Sequence, residues 1–178
     1  GVYPLSSQTA VGANTLKIYG GFAGVEGETL EQRNTKANPS IFTGDKNGND
    51  CYVHYELSTN APSPSVTKTI TDAPMVKDGR FNPPPAYSGK YDIYATAVNN
   101  GTGASLTSDN HGSQLFAFSN GATFVLDGIY LIGYRGNLFE ASGANTSVTI
   151  NDCRFYATSG TGDNGVFRVN HINSFTLS

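Results

Sequence analysis

Short runs in which apolar and small polar residues alternate dominate the chain from Ser113 to Ser178, and they recur. Gln114-Leu-Phe-Ala-Phe-Ser-Asn120 returns as Asn137-Leu-Phe-Glu-Ala-Ser-Gly143 and again as Gly165-Val-Phe-Arg-Val-Asn-His171. Each is followed by a second run: Phe124-Val-Leu-Asp127, Val148-Thr-Ile-Asn151 and Phe175-Thr-Leu-Ser178. Runs this short, rich in Phe, Val, Ile and Thr and bounded by Gly, Ser and Asn, predict strands rather than helices. Phe116, Phe139 and Phe167 are 23 and 28 residues apart, and Phe124, Val148 and Phe175 are 24 and 27 apart. A repeat in the twenties predicts an all-β solenoid, in which stacked parallel coils each bury the neighbour's apolar face. A leucine-rich repeat shares the period, but its Leu pattern and helical half are absent. An antiparallel sandwich is the alternative.

Alternation within a strand sends successive side chains to opposite faces. It places Phe116/Phe118, Phe139/Ala141 and Phe167/Val169 inward in the first run, and Phe124/Leu126, Val148/Ile150 and Phe175/Leu177 inward in the second. The outward columns are Ala117, Glu140 and Arg168, then Val125, Thr149 and Thr176, then Tyr130 with Arg154. Stacking in register predicts an ion pair between Glu140 and Arg168.

Upstream, Thr15 to Gly21 reads as a strand with Leu16 and Ile18 inward, Glu28 to Arg33 as one or two helical turns, and Ser40 to Thr43 as a strand. Gly44 to Asp50 is a turn, and Cys51 to Leu57 is a strand that starts the next coil. Ser58 to Gly112 departs from the pattern, with Pro62, Pro64, Pro74 and Pro83-Pro-Pro85 among Ser/Thr/Asn clusters. A structureless loop of that length is improbable in a compact domain. It predicts an insertion folded against the solenoid, with a β-hairpin around Lys90 to Val98. The single domain thus divides into N-terminal coils (1–57), an insertion (58–112) and three tandem coils (113–178). Both ends of the chain stop in mid-pattern, which predicts a fragment with open coil ends and self-association through them.

Leu16-Lys-Ile-Tyr-Gly-Gly-Phe-Ala-Gly24, Glu28-Thr-Leu-Glu-Gln-Arg33, Asn38-Pro-Ser-Ile41 and Gly44-Asp-Lys-Asn-Gly-Asn-Asp50 together resemble the first coils of a family of bacterial surface proteins. These are right-handed parallel β-helices of the pectin-lyase-like superfamily, of the polymorphic outer-membrane or β-helix-repeat type. Phe124-Val-Leu-Asp-Gly-Ile-Tyr-Leu131 and Val148-Thr-Ile-Asn-Asp-Cys-Arg-Phe155 resemble its recurrent coil strands. The resemblance covers about residues 1–57 and 113–178. It implies secretion and display at the cell surface in a structural or adhesin-like role, without implying one activity.

Charged residues are only 14% of the chain, and the net charge is −3, which argues against a nucleic-acid surface. No apolar run is long enough for a membrane-spanning helix. Few Lys and Glu among many small polar residues read as extracellular. Cys51 and Cys153 offer one disulfide in an oxidising compartment, but strand alternation points Cys153 inward, as a buried free thiol.

Candidate chemistry is sparse. Asp45, Asn47, Asn49 and Asp50, with Glu56, partly match the spacing of a calcium loop, but Asp50 stands where Gly is required and no helices flank it. A polar turn is the plainer reading, with bound calcium the alternative; no cofactor is required. Asp127, Asp152 and Arg154 form the one cluster suited to a polysaccharide lyase or glycoside hydrolase, which needs paired carboxylates or a cation beside a base. His54, His111 and His171 are scattered. The leading reading is non-catalytic: Phe81, Tyr87, Tyr91, Tyr94 and Tyr130, with Tyr134, are expected to be exposed and to bind a polysaccharide or a surface protein.

Overall fold

The computed structural model describes residues 1–5, 7–45, 51–58, 65–74, 76–82, 93–94, 115–134, 137–156 and 166–178. Every regular element among them is a strand, and among the described residues no helix is long and apolar enough to cross a membrane. The chain opens with β1 (Val2–Pro4), β2 (Thr9–Val11), β3 (Thr15–Tyr19) and β4 (Ser40–Thr43). Strands β5 (Cys51–Ser58), β6 (Ser65–Pro74), β7 (Val76–Lys77), β8 (Arg80–Phe81) and β9 (Ile93–Tyr94) follow. Then come β10 (Phe116–Phe118), β11 (Thr123–Asp127) and β12 (Ile129–Ile132); β13 (Phe139–Ser142), β14 (Ser147–Asn151) and β15 (Arg154–Tyr156); and β16 (Phe167–Asn170) and β17 (Ser174–Leu177).

Twelve of these strands form three four-stranded sheets, ordered β1-β4-β12-β15, β2-β10-β13-β16 and β3-β11-β14-β17, and all their pairings are parallel. Leaving aside β5–β9, the chain visits the three sheets in cyclic order, adding one strand to each per turn. Phe116 pairs with Phe139 and Phe139 with Phe167, while Phe124, Val148 and Phe175 align in the same way. This is the register the spacing predicts. Leu16 and Ile18 extend the second set of columns onto Phe124 and Leu126.

The excursion interrupts a turn rather than separating two sets of turns. Strand β4 lies in the first sheet, and the chain does not reach the second until β10, more than seventy residues later. Strand β10 nonetheless pairs directly with β2. Cys51–Ser58 does not open a coil as expected. It pairs antiparallel with Ser65–Pro74 and with Ile93–Tyr94, so it belongs with the excursion. The hairpin expected around Lys90 to Val98 lies largely outside the described residues; Ile93–Tyr94 pairs there with Val53 and His54. A second hairpin joins β7 to β8 through Asp78 and Gly79, both at positive φ (51° and 69°). A two-residue loop with that backbone matches the twist of its flanking strands, and Asp-Gly is a preferred sequence for it.

Side chains from all three sheets pack into one apolar cluster. Phe116, Phe124, Leu126, Leu131, Phe139, Val148 and Ile150 are each at most 2% exposed. The rings stack along the coil direction: Phe116 and Phe139 lie 5.6 Å apart, and Phe139 and Phe167 5.1 Å, both near-parallel. Outside, Arg168 Nη1 meets Glu140 Oε1 at 3.1 Å, as the register requires. Their side chains are 56% and 34% exposed, so water screens the pair and it contributes at most about 1 kcal/mol.

The first sheet differs from the other two in that its inner strands, β4 and β12, are buried on both faces. Ile129, Tyr130, Leu131 and Ile132 are all at most 4% exposed. Ile41, Tyr130 and Ile132 are buried yet lie outside the interior cluster, so the outer face of these two strands is largely covered as well.

Candidate functional site

The connection from β3 to β4 builds one wall over that outer face. Glu28 is bent back so that its carboxylate accepts hydrogen bonds from the backbone N–H of Ala23 (3.0 Å) and of Gly24 (3.1 Å). Gln32 Oε1 accepts from Thr29 N at 2.8 Å, and Asn34 Oδ1 accepts from Ala37 N at 2.9 Å. These side-chain acceptors satisfy backbone donors locally and hold the segment in consecutive turns. Over Glu28 to Arg33, where one or two helical turns are expected, no helix forms; the chain makes a single turn in which the Gln32 N–H donates to the Thr29 carbonyl at 3.2 Å.

Two longer contacts dock this segment on the coils. Arg33 Nη2 lies 2.8 Å from Asp127 Oδ1, with side chains 20% and 13% exposed, and the Arg33 guanidinium sits 5.3 Å over the Tyr19 ring. The Thr35 hydroxyl donates to Asp152 Oδ2 at 2.6 Å. Asp127 and Asp152 thus serve as anchor points for the loop.

Beyond the anchors opens a cleft of about 740 Å³, bounded by this loop, by the tip of the β7–β8 hairpin and by the outer face of β12 and β15. Its chemistry comes from Phe22 and Lys36 of the loop, Asp78 and Arg80 of the hairpin, and Tyr130 and Arg154 of the sheet. Tyr130 and Arg154 are register partners on adjacent strands, and the guanidinium lies 5.3 Å over the tyrosine ring. Lys36, Arg80 and Arg154 are exposed, whereas Tyr130 is 4% exposed and forms the floor.

The structure divides the residues singled out from the sequence. Arg154 lines the cleft, but neither Asp127 nor Asp152 does; both are turned to the loop anchors. Tyr130 and Tyr134, expected to be exposed, are buried at 4% and 0%. Tyr130 is covered because its strand is packed on both faces, and Tyr134 points into the interior cluster. Phe81 ends β8 opposite Val76, and Tyr94 ends β9 opposite Val53. Tyr87 and Tyr91 lie outside the described residues. Asp45 is 8% exposed, its N–H bonded to Thr43 Oγ1 at 3.1 Å, while Asn47, Asn49 and Asp50 lie outside the described residues. No group of three or more His, Cys, Asp or Glu among the described residues is placed to hold a metal ion.

Lys36, Arg80 and Phe22 were not singled out from the sequence. Two signals pointed to their neighbourhood. Asp78-Gly79 between Val76-Lys77 and Arg80-Phe81 marks a tight hairpin. The unbroken apolar run Ile129-Tyr-Leu-Ile132 marks a strand buried on both faces.

Cys153 is a free, half-buried thiol whose Sγ donates to the Leu126 carbonyl at 3.6 Å. Burial pushes its pKa up to about 11, and the carboxylates of Asp127 and Asp152 add to the effect against opposing backbone hydrogen bonds. The thiolate is the reactive form. In a Cys51→Ser variant, carbamidomethylation of Cys153 at pH 8 is therefore expected to be far slower than in the urea-unfolded chain, accelerating as the pH approaches 11. The sign for stability follows. The folded pKa lies above the ordinary thiol value of about 8.5, so the protonated form favours the fold. That contribution is complete below about pH 8.5 and is lost as the pH rises toward 11. Equal alkylation rates for folded and unfolded chain at pH 8 would contradict this placement of the thiol.

No family model matches the chain, and no curated protein or solved structure matches it either.

Proposed function

We propose that the chain is a right-handed parallel β-helix module of a secreted, cell-surface protein of the pectin-lyase-like, β-helix-repeat type. It displays a ligand-binding cleft on its flank and performs no chemistry on what it binds. The observation that carries this reading is the use made of the carboxylates. Glycoside hydrolysis needs two carboxyl groups flanking the scissile bond. Asp127 is committed to Arg33 and Asp152 to Thr35, and among the described lining residues of the cleft Asp78 is the one carboxylate. Three sheets built one strand per turn supply a rigid support, and the excursion between β4 and β10 shapes the cleft upon it. Binding surfaces concentrate on excursions positioned in this way by a rigid framework.

The test pairs a glycan array with a turnover assay on the same glycans. Binding without new reducing ends or unsaturated-sugar absorbance is the expected result. Appearance of either product would replace this reading with the lyase or hydrolase alternative.

A further inference from the structure

We propose that residues 22–38 form a lid on the flank of the coils, which opens as one unit about Gly21 and Ser40 while the three sheets stay folded, with Arg33 on Asp127 and Thr35 on Asp152 as its latch. The opening is a property of the fold; its consequence for the cleft rests on the display-module reading.

The lid is bonded to itself. The Glu28 carboxylate holds the N–H groups of Ala23 and Gly24, Gln32 Oε1 holds that of Thr29, and Asn34 Oδ1 that of Ala37. The Glu28 N–H donates to the Val25 carbonyl at 3.4 Å and the Asn38 N–H to the Asn34 carbonyl at 2.8 Å, while Arg33 Nε donates to the Leu30 carbonyl at 3.1 Å. The two roots meet, because Gly21 N donates to Ser40 Oγ at 3.3 Å. A surface segment whose ends are close and whose own side chains pack it is an Ω-loop, a form frequently put to functional use.

The lid is not built into the core. No residue from Phe22 to Pro39 is buried, and Val25 and Leu30 are 64% and 44% exposed. Among the described residues, its polar contacts with the coils are made by two side chains. Arg33 meets the Asp127 carboxylate at 2.8 Å, reaches the Asp127 carbonyl at 3.5 Å and covers the Tyr19 ring. Thr35 donates to Asp152 at 2.6 Å. A segment that buries little apolar surface and is held by few bonds lies at the low-stability end of a fold and opens locally. Releasing it breaks no strand pairing, since Arg33 and Thr35 lie outside every strand and β3 and β4 are held in separate sheets by β11 and β12. Gly21 supplies one hinge: it stands at φ 91°, and as glycine it is free to leave that conformation.

Opening carries Phe22, Lys36 and Asn38 away from the cleft and leaves the floor on β12 and β15 and the β7–β8 hairpin in place. The position of the lid therefore sets how wide a cleft a ligand meets. A ligand that touches both lid and floor favours the closed form, and one too large for it favours the open form.

Spin-label distances on the unliganded full chain test the lid. In a Cys51→Ser, Cys153→Ser background, nitroxides are attached at Glu26→Cys on the lid and Ser142→Cys on β13, and in a reference sample at Lys17→Cys and Ser142→Cys; all three positions are exposed. With the latch intact, the lid pair is expected to give one dominant distance. Arg33→Gln combined with Thr35→Val is expected to raise the ratio of open to closed lid about a hundred-fold or more, each hydrogen bond to a charged group contributing about ten-fold, so that a second, longer distance emerges. Either substitution alone is expected to give about one such ten-fold step, and the reference distance is expected to stay unchanged throughout.

Four results would overturn the proposal. A lid distance unchanged in the double variant would mean that other contacts hold the segment to the coils. A continuous spread in place of a second distance would mean that it frays instead of opening as a unit. A reference distance that moves with the lid distance, or a double variant without a cooperative urea transition, would make the segment part of the folded core. None of the four bears on the display-module reading, which the glycan array and turnover assay decide.

Discussion

Phe139→Ala is expected to cost about 3–5 kcal/mol of folding stability, the usual range for removing a fully buried ring. Phe139 is 1% exposed and occupies the middle of the aromatic column, with Phe116 at 5.6 Å on one side and Phe167 at 5.1 Å on the other. Phe155 meets it edge-on at 6.2 Å. Its removal takes away the transfer energy of the ring and leaves a cavity bordered, among the described residues, by the rings of Phe116, Phe124, Phe155 and Phe167. Those rings are fixed by backbone registers that pin Phe116 and Phe167 directly opposite position 139, so collapse into the space is restricted. Phe167→Ala is expected to cost less, because Phe167 is only half-buried. Urea unfolding checks both variants: the midpoint falls and the slope stays constant, as for a change in stability without a change in the states compared. A loss below about 1 kcal/mol at Phe139 would place that ring outside a packed interior and contradict the stacking of the sheets.

The columns were legible because they depend on one variable, the spacing between equivalent residues. Phe116, Phe139 and Phe167 declare it, and the ion pair of Glu140 with Arg168 follows from the same register without further information. Leu16 and Ile18 were legible as an inward pair but not as the neighbours of Phe124 and Leu126. More than one hundred residues separate them, and nothing in the alternation says which turns touch. Cys51–Ser58 alternates as well as any coil strand. Period-2 patterning reports that one face is buried and is silent on whether the partner strand runs parallel or antiparallel. The cleft was legible least. Lys36, Arg80 and Arg154 lie on three elements far apart in sequence and converge only because the loop after β3 docks through Arg33 on Asp127 and Thr35 on Asp152. Those two aspartates stood out from the sequence as candidate catalytic groups. A carboxylate at a strand end serves equally as an anchor, and only its partner distinguishes the two roles.

Glycine at two corners of the coil sets how closely successive turns approach, and adding one methyl group there is expected to separate them. Gly20 follows β3 and Gly44 follows β4; the N–H of Gly20 donates to the Asp127 carbonyl and that of Gly44 to the Ile132 carbonyl of the neighbouring turn. The register places Gly128 beside the first and Gly133 beside the second. A Cβ at Gly20 would overlap the Gly128 carbonyl oxygen and lie 2.8 Å from Ile129 Cδ1 and 2.9 Å from Ser40 Cβ. A Cβ at Gly44 would overlap the Gly133 carbonyl oxygen and lie 3.1 Å from Tyr134 Cδ1. The obstacle in each case is the backbone of the next turn, which cannot rotate away as a side chain can. Relief requires the two sheets that meet at the corner to shift, at the expense of the parallel hydrogen bonds on either side. Gly20→Ala and Gly44→Ala are each expected to lose about 1–3 kcal/mol, as overpacking does. Gly12→Ala supplies the opposite expectation. Its φ lies outside the left-handed region, and its Cβ would come no nearer than 4.0 Å to Ser119 Oγ, so it should be neutral or gain about 0.4–1 kcal/mol by restricting the unfolded chain. Chemical denaturation of the three variants side by side separates close approach between turns from the general effect of replacing glycine. If all three lose stability equally, the corners are not where the turns meet.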